Sequence, residues 1–238
     1  MKKKVVSLLV WGVVLGLSQP GFANPASTEY VTRHISDAMN EIKSYIKSEV
    51  NSILTQVNSQ RISMRKMGEL YQGGVVFFVD ESRIHGLIAA KVDANNGEGI
   101  QWQNGVSGEK IINARANGVH AGETNTRLII SQQTVDDQGG TFAALIASNY
   151  AVLEDGITSC AASVHESQNC YGGWYLPSLY ELDLMRRNLT SIYQLAQAPY
   201  WSSTESSVTE SWAEEVVGSP MLLDKSLTHA RVRAIRSF

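Results

Sequence analysis

The chain has 238 residues, 43% of them hydrophobic and 18% charged, with a formal net charge of −3 at pH 7. That balance excludes a disordered chain and a basic nucleic-acid binder, and no apolar run reaches the ~20 residues a membrane-spanning helix needs. The length supports one or two domains with a real core.

Residues 1–23 read as a secretory signal. Lys2, Lys3 and Lys4 precede an apolar run from Val5 to Leu17, and Gly21-Phe22-Ala23 forms a small-x-small cleavage site. The thirteen-residue run is short for the alternative, an uncleaved anchor, and no cysteine follows it for lipid attachment. The expectation is therefore an exported protein of a Gram-negative bacterium, at the cell surface or secreted, with the periplasm as an alternative. Removing the signal leaves a net charge of −6.

Residues 24–68 read as a helical coiled-coil stalk. Between Thr28 and Met67 there is neither proline nor glycine, and Gly68 supplies a stop. Val31, Ile35, Met39, Ile42, Ile46, Val50, Ile53, Val57 and Met64 follow spacings of four, four and three, with Arg61 the one interruption. That is an 11-residue repeat, which keeps a stripe nearly straight or slightly right-handed. The opposite face is polar, with Glu41, Lys43, Ser44, Lys47, Asn51 and Asn58. Leaving each Ile or Val in water forfeits about 1.5–3 kcal/mol, so the stripe calls for a partner. Packing on the chain's own domain is one solution. Self-association is favoured, because a helix of ~60 Å exceeds the radius of a domain of ~170 residues. Recurrent β-branching leans toward three chains.

From Glu69 the pattern changes. Val75–Asp80 and Leu87–Ala90 read as a hairpin, Asn95–Gly99 as a turn, and Arg127–Gln133 and Thr141–Val152 as helices. Ser178-Leu179-Tyr180-Glu181 is a capping box opening a helix through Asn188. Short strands are expected at Tyr200–Thr204, Trp212–Val217, Met221–Leu223 and Arg231–Ser237. Residues 69–238 carry eleven basic and nineteen acidic side chains, net −8, whereas residues 24–67 are net +2. The acidity lies in the C-terminal domain. Cys160 and Cys170 are the only cysteines, and export favours a disulfide. The competing use, a metal site with His165, lacks a CxxC or HxxxH set.

Six motifs occur in order: Gly73-Gly74-Val75-Val76-Phe77, His85-Gly86-Leu87-Ile88-Ala89-Ala90, Gly122-Glu123-Thr124-Asn125-Thr126, Gly172-Gly173-Trp174-Tyr175-Leu176-Pro177-Ser178, Tyr200-Trp201-Ser202-Ser203-Thr204-Glu205 and Val232-Arg233-Ala234-Ile235-Arg236. Together they resemble the C-terminal domain of the Legionella collagen-like adhesin and its relatives over nearly all of residues 70–238. More distantly, the Trp-Tyr-Leu-Pro, Trp-Ser-Ser and Val-Arg-x-Ile-Arg elements resemble C-type-lectin-like and formylglycine-generating-enzyme-like folds. The resemblance implies an α+β domain, residues 69–238, built on one small twisted antiparallel sheet with two or three helices, and a trimer. The collagen repeats of that family are absent here, and the helix stands in their place.

No pair of carboxylates has a spacing that nominates an acid/base couple, and the five histidines lie outside any nucleophile motif. The lectin-type calcium triplets and the late cysteine pair of the formylglycine-generating enzymes are also missing, so neither a catalytic residue nor a metal or other cofactor is expected. The function expected is a trimeric adhesin whose C-terminal domain binds a glycan or a protein ligand. A structural subunit of a cell-envelope or secretion assembly is the alternative, and an exported enzyme the third. Sugar sites combine aromatic faces with amide and carboxylate groups. That inventory nominates Trp102, Asn104, Trp201, Ser203, Glu205 and Trp212, with Arg231 and Arg233 as an anion contact. The family resemblance implies sulfated glycans, but a domain of net −8 opposes polyanions, so neutral glycan or protein ligands are expected instead.

Overall fold

The computed structural model describes residues 25–160, 169–190 and 195–238. The expected signal and His165 lie outside them. The chain divides into two compact units between Ile62 and Ser63.

Among the described residues the first unit consists of one helix, α1, Pro25–Ser63, whose last residue falls just past the division. Proline at its start needs no intrahelical partner, and nothing beyond it interrupts the i to i−4 ladder. Ser44, Ser48 and Ser59 turn their hydroxyls onto carbonyls three residues back, and Thr55 onto the carbonyl of Asn51. Those bonds keep small polar side chains compatible with the helix. Taken by itself, α1 exposes the whole stripe from Val31 to Val57. Met64, beyond the helix end, is also exposed. Among the described residues, no helix is long and apolar enough to cross a membrane.

The second unit is α+β, with two small antiparallel sheets where the sequence predicts one. Strands β1 (Leu70–Tyr71), β2 (Gly74–Val79), β3 (Gly86–Ala90) and β7 (Ile235–Ser237) form a sheet ordered β1-β2-β3-β7. The expected hairpin is β2–β3, with Val76 opposite Ile88 and a bulge before Phe78. Val75 and Phe77 enter one apolar cluster with Tyr175, Leu182 and Met185, while Val76 joins another with Trp102, Phe142, Trp174 and Trp201. Burial on both faces explains why this strand reads as a continuous apolar run. Strands β4 (Pro199–Glu205), β5 (Glu210–Glu215) and β6 (Pro220–Asp224) form the second sheet.

The expected strand Arg231–Ser237 is split, which is why there are two sheets. Only its last three residues pair in β7. The preceding residues run between the sheets: Arg231 exchanges backbone bonds with Pro199 and Trp201, while Val232 and Ala234 accept from Ala94 and Ala90.

Helices α2 (Ala121–Gln133), α3 (Ala143–Asn149) and α4 (Leu179–Leu189) pack around this frame. The capping box is present at α4: the Ser178 hydroxyl accepts from the Glu181 amide, and the Glu181 carboxylate accepts from the Ser178 amide. Glu181 does more than cap. Its two oxygens also accept the amides of His120 (2.7 Å) and Gly122 (3.0 Å) and the Tyr175 hydroxyl (3.2 Å). Gly122 is required there, because a Cβ would stand 2.5 Å from Glu181 Oε2. Helix α3 is shorter than the expected Thr141–Val152, because Val152 pairs in extended form with Ser159 and Tyr171. Cys160 and Cys170 are disulfide-bonded, with Cα atoms 5.8 Å apart.

Candidate functional site

A cleft of about 860 Å³ opens where the segment around Arg231 and Arg233 meets the loop after β3. Its lining includes Lys91–Gly97, Asn149–Val152, Ile157, Ser159, Leu195 and Ala196. The alternation of Ala230, Val232 and Ala234 into the core sends Arg231 and Arg233 to the other side. The loop turns back through Asn95, Asn96 and Gly97, all with positive φ (56°, 54° and 79°). Asparagine and glycine are the residue types that adopt this conformation at least strain.

Asp93 is the hub. Its Oδ1 accepts Arg233 Nε at 2.8 Å and Nη2 at 2.6 Å, and its Oδ2 accepts Arg231 Nη1 at 3.0 Å and the Tyr200 hydroxyl at 3.1 Å. Arg233 is almost fully buried, and its Nη1 donates to the carbonyls of Ala90 and Lys91. Arg231 is different. Its side chain is 34% exposed, and its one hydrogen bond among the described residues is to Asp93. Four of its five N–H groups thus remain for a ligand. Lys91 reaches across to the carbonyl of Asp155 at 2.7 Å.

Tyr150 lines the same cleft. Its ring packs edge-on against Trp174, with centroids 5.2 Å apart, and its hydroxyl is buried without a hydrogen-bond partner. Burial pushes this phenol up to about 12, so it stays protonated at neutral pH. A buried polar group left unpaired costs about 1–3 kcal/mol, and the Tyr150 hydroxyl, which has no accessible surface, carries that cost within the cleft wall. Burial also raises the Tyr200 phenol, with the Asp93 carboxylate acting in the same direction.

Of the eight ligand-binding residues nominated from sequence, the structure brings only Arg231 and Arg233 to this cleft. Trp102 and Trp201 are fully buried, their indole N–H groups donating to the carbonyls of Ser202 and Ile100. Neither has a face free for a sugar. Asn104 is buried and tethers the end of α2 by donating to the carbonyls of Gln133 and Asp137. Ser203 is buried against Asn125, and Glu205 is buried in an ion pair with Lys225. Trp212 is half-buried on β5 opposite Leu222, outside the cleft lining.

Sequence reading missed Asp93, Tyr150 and Lys91. Asp93 sits in a turn-like Val-Asp-Ala-Asn-Asn-Gly stretch, and its partners lie 107 to 140 residues away. Arg231 and Arg233 are legible in the sequence only as arginines of an expected terminal strand. Among the described residues, no group of three or more His, Cys, Asp or Glu side chains is placed to hold a metal ion. No family model and no curated protein matches the chain.

Proposed function

We propose that the chain is an exported, trimeric, adhesin-like protein: α1 bundles with its copies as a coiled coil, and the C-terminal domain, of lectin-like form, binds a glycan in the Asp93–Arg231 cleft. The observation that carries the binding half is a cleft of about 860 Å³ with the unfulfilled, open side of Arg231 in its wall. Sugars present many hydroxyl acceptors together with C–H faces. Val92, Ile146 and Ile157 supply apolar contact, while Asn95, Asn96 and Asn149 supply amides. The bundling half is supported by the stripe from Val31 to Val57, which burial against two further helices removes from water.

The reading is tested with residues 24–238 as one protein. Sedimentation equilibrium at micromolar concentration is expected to give the mass of three chains, and a glycan array a defined bound set that Arg231→Ala loses. A single-chain mass removes the bundle; an empty array removes sugar binding.

A further inference from the structure

We infer that the glycan bound in this cleft carries a single carboxylate, seated on the open side of Arg231, and is not a polyanionic chain. The inference rests on the proposed glycan-binding reading and names the class of sugar. Among the lining residues, Lys91, Arg231 and Arg233 oppose one carboxylate, Asp93. With Asp155, whose carboxylate acts on both Lys91 and Tyr150, the cleft is net +1 inside a domain of net −8. Asp155, just beyond the lining, accepts the amides of Ile157 and Thr158 and the Thr158 hydroxyl and acts on Lys91, so it balances that ammonium and leaves the surplus at the arginines.

These two charges act over different distances. At physiological ionic strength the screening length is about 8 Å. A lone anion seated in the cleft is governed by the local surplus of cations. A chain of sulfates or carboxylates extending tens of ångströms lays its other charges along the acidic surface, where each meets repulsion. The same domain therefore accepts one negative group and rejects a row of them. The sequence expectation of neutral ligands followed the domain average; the cleft departs from it.

The donors also suit a carboxylate. Arg231 has one N–H fixed by Asp93, so its planar group is already oriented before a ligand arrives. Asp93 shares its charge with Arg233 and so leaves Arg231 only partly neutralised. A guanidinium edge matches the two oxygens of a carboxylate in plane.

The test is calorimetry with residues 24–238 at pH 7 and 0.15 M salt. The probes are sialyllactose, a glucuronyl-capped disaccharide, the carboxyl-reduced form of each, and a heparin hexasaccharide. At least one acid probe is expected to bind about tenfold or more tightly than its reduced form. Which of the two does so identifies the type of acidic sugar. Arg231→Ala is expected to abolish that ratio, Arg231→Lys to retain part of it, and heparin to bind more weakly than the preferred acid. Equal affinity for acid and reduced forms overturns the carboxylate while leaving glycan binding intact, and so does a ratio that survives in Arg231→Ala. Heparin binding tightest overturns the single-charge argument. Absence of binding by any probe, with the circular dichroism of the native fold intact, overturns the glycan-binding reading itself.

Discussion

Two carboxylates in the C-terminal domain anchor ion-pair networks, and the contrast between them separates architecture from function. Glu205 and Lys225 are both fully buried, 2.7 Å apart. The three N–H groups of Lys225 go to Glu205, the Lys110 carbonyl and the Val208 carbonyl, and Glu205 accepts the amides of Ile112 and Asn113. One positive charge meets one negative charge, and every donor is matched. Asp93, by comparison, serves two guanidiniums, one of them a third exposed, beside a phenol with no partner. A closed network has nothing left to offer a ligand. An open one has surplus charge, and that surplus is what marks the cleft.

The contrast is broken most severely at the closed network. Burial pulls the Lys225 ammonium below its usual value even with Glu205 alongside. Truncation as Lys225→Ala leaves the Glu205 carboxylate buried without its cation, and is expected to destabilise the domain by about 3–5 kcal/mol. Urea unfolding followed by tryptophan fluorescence measures this, since Trp102 lies 4.8 Å from the ammonium. A loss below 1 kcal/mol would mean that the network is not closed as described.

The disulfide has the next largest effect. It closes a short loop beside the extended pairing of Val152 with Ser159 and Tyr171, which forms part of the cleft wall. The paired substitution Cys160→Ser and Cys170→Ser is expected to cost about 3 kcal/mol by the chain-entropy argument, read from the urea midpoint. An unchanged midpoint would place the loop outside the cooperative unit.

At the open network the sign reverses. Tyr150→Phe removes a buried hydroxyl that has no partner and keeps the ring against Trp174. Stability is expected to stay level or rise by about 1 kcal/mol, and ligand affinity to stay unchanged because the hydroxyl has no accessible surface. A stability loss of more than about 1 kcal/mol would mean that the hydroxyl is hydrogen-bonded, and would place Tyr150 with the closed network.

Features set by local patterns were legible in the sequence, and those set by distant pairing were not. The capping box of Ser178 and Glu181 follows from four adjacent residues, and the β2–β3 hairpin from two apolar runs around Gly86. The further bonds of Glu181 to His120 and Gly122 join residues about sixty positions apart, and no periodicity announces them. Trp102 shows the same limit in reverse. Its neighbours Gln103 and Asn104 look like an exposed polar loop, yet both are buried. Asn104 and Gln133 satisfy one another across 29 positions, so polar character there does not mean solvent. The cleft combines both cases: the alternation that presents Arg231 and Arg233 is local, but the Asp93 that orients them is not.

The smallest effect concerns a third carboxylate, intermediate between the two networks. Glu214 is buried, with Oε1 accepting Arg186 Nε at 2.6 Å and Oε2 unpartnered. Burial pushes its carboxyl above the usual range, and the Arg186 guanidinium pulls it back only in part. A group with a higher pKa in the native state keeps its proton longer than the unfolded chain does. As pH rises from the unfolded value of about 4.3 toward the native one, the unfolded state ionises first and stability falls. Above the native value the loss is complete and constant. Glu214→Gln keeps an acceptor for Arg186 and removes the titration, so its stability should decline less steeply through that window. Glu181, also raised by burial, still contributes its own slope in both proteins. The comparison is therefore a difference of slopes between pH 4 and 7, measured by urea unfolding. Identical slopes would show that Glu214 titrates alike in both states and belongs with the closed, fully matched network.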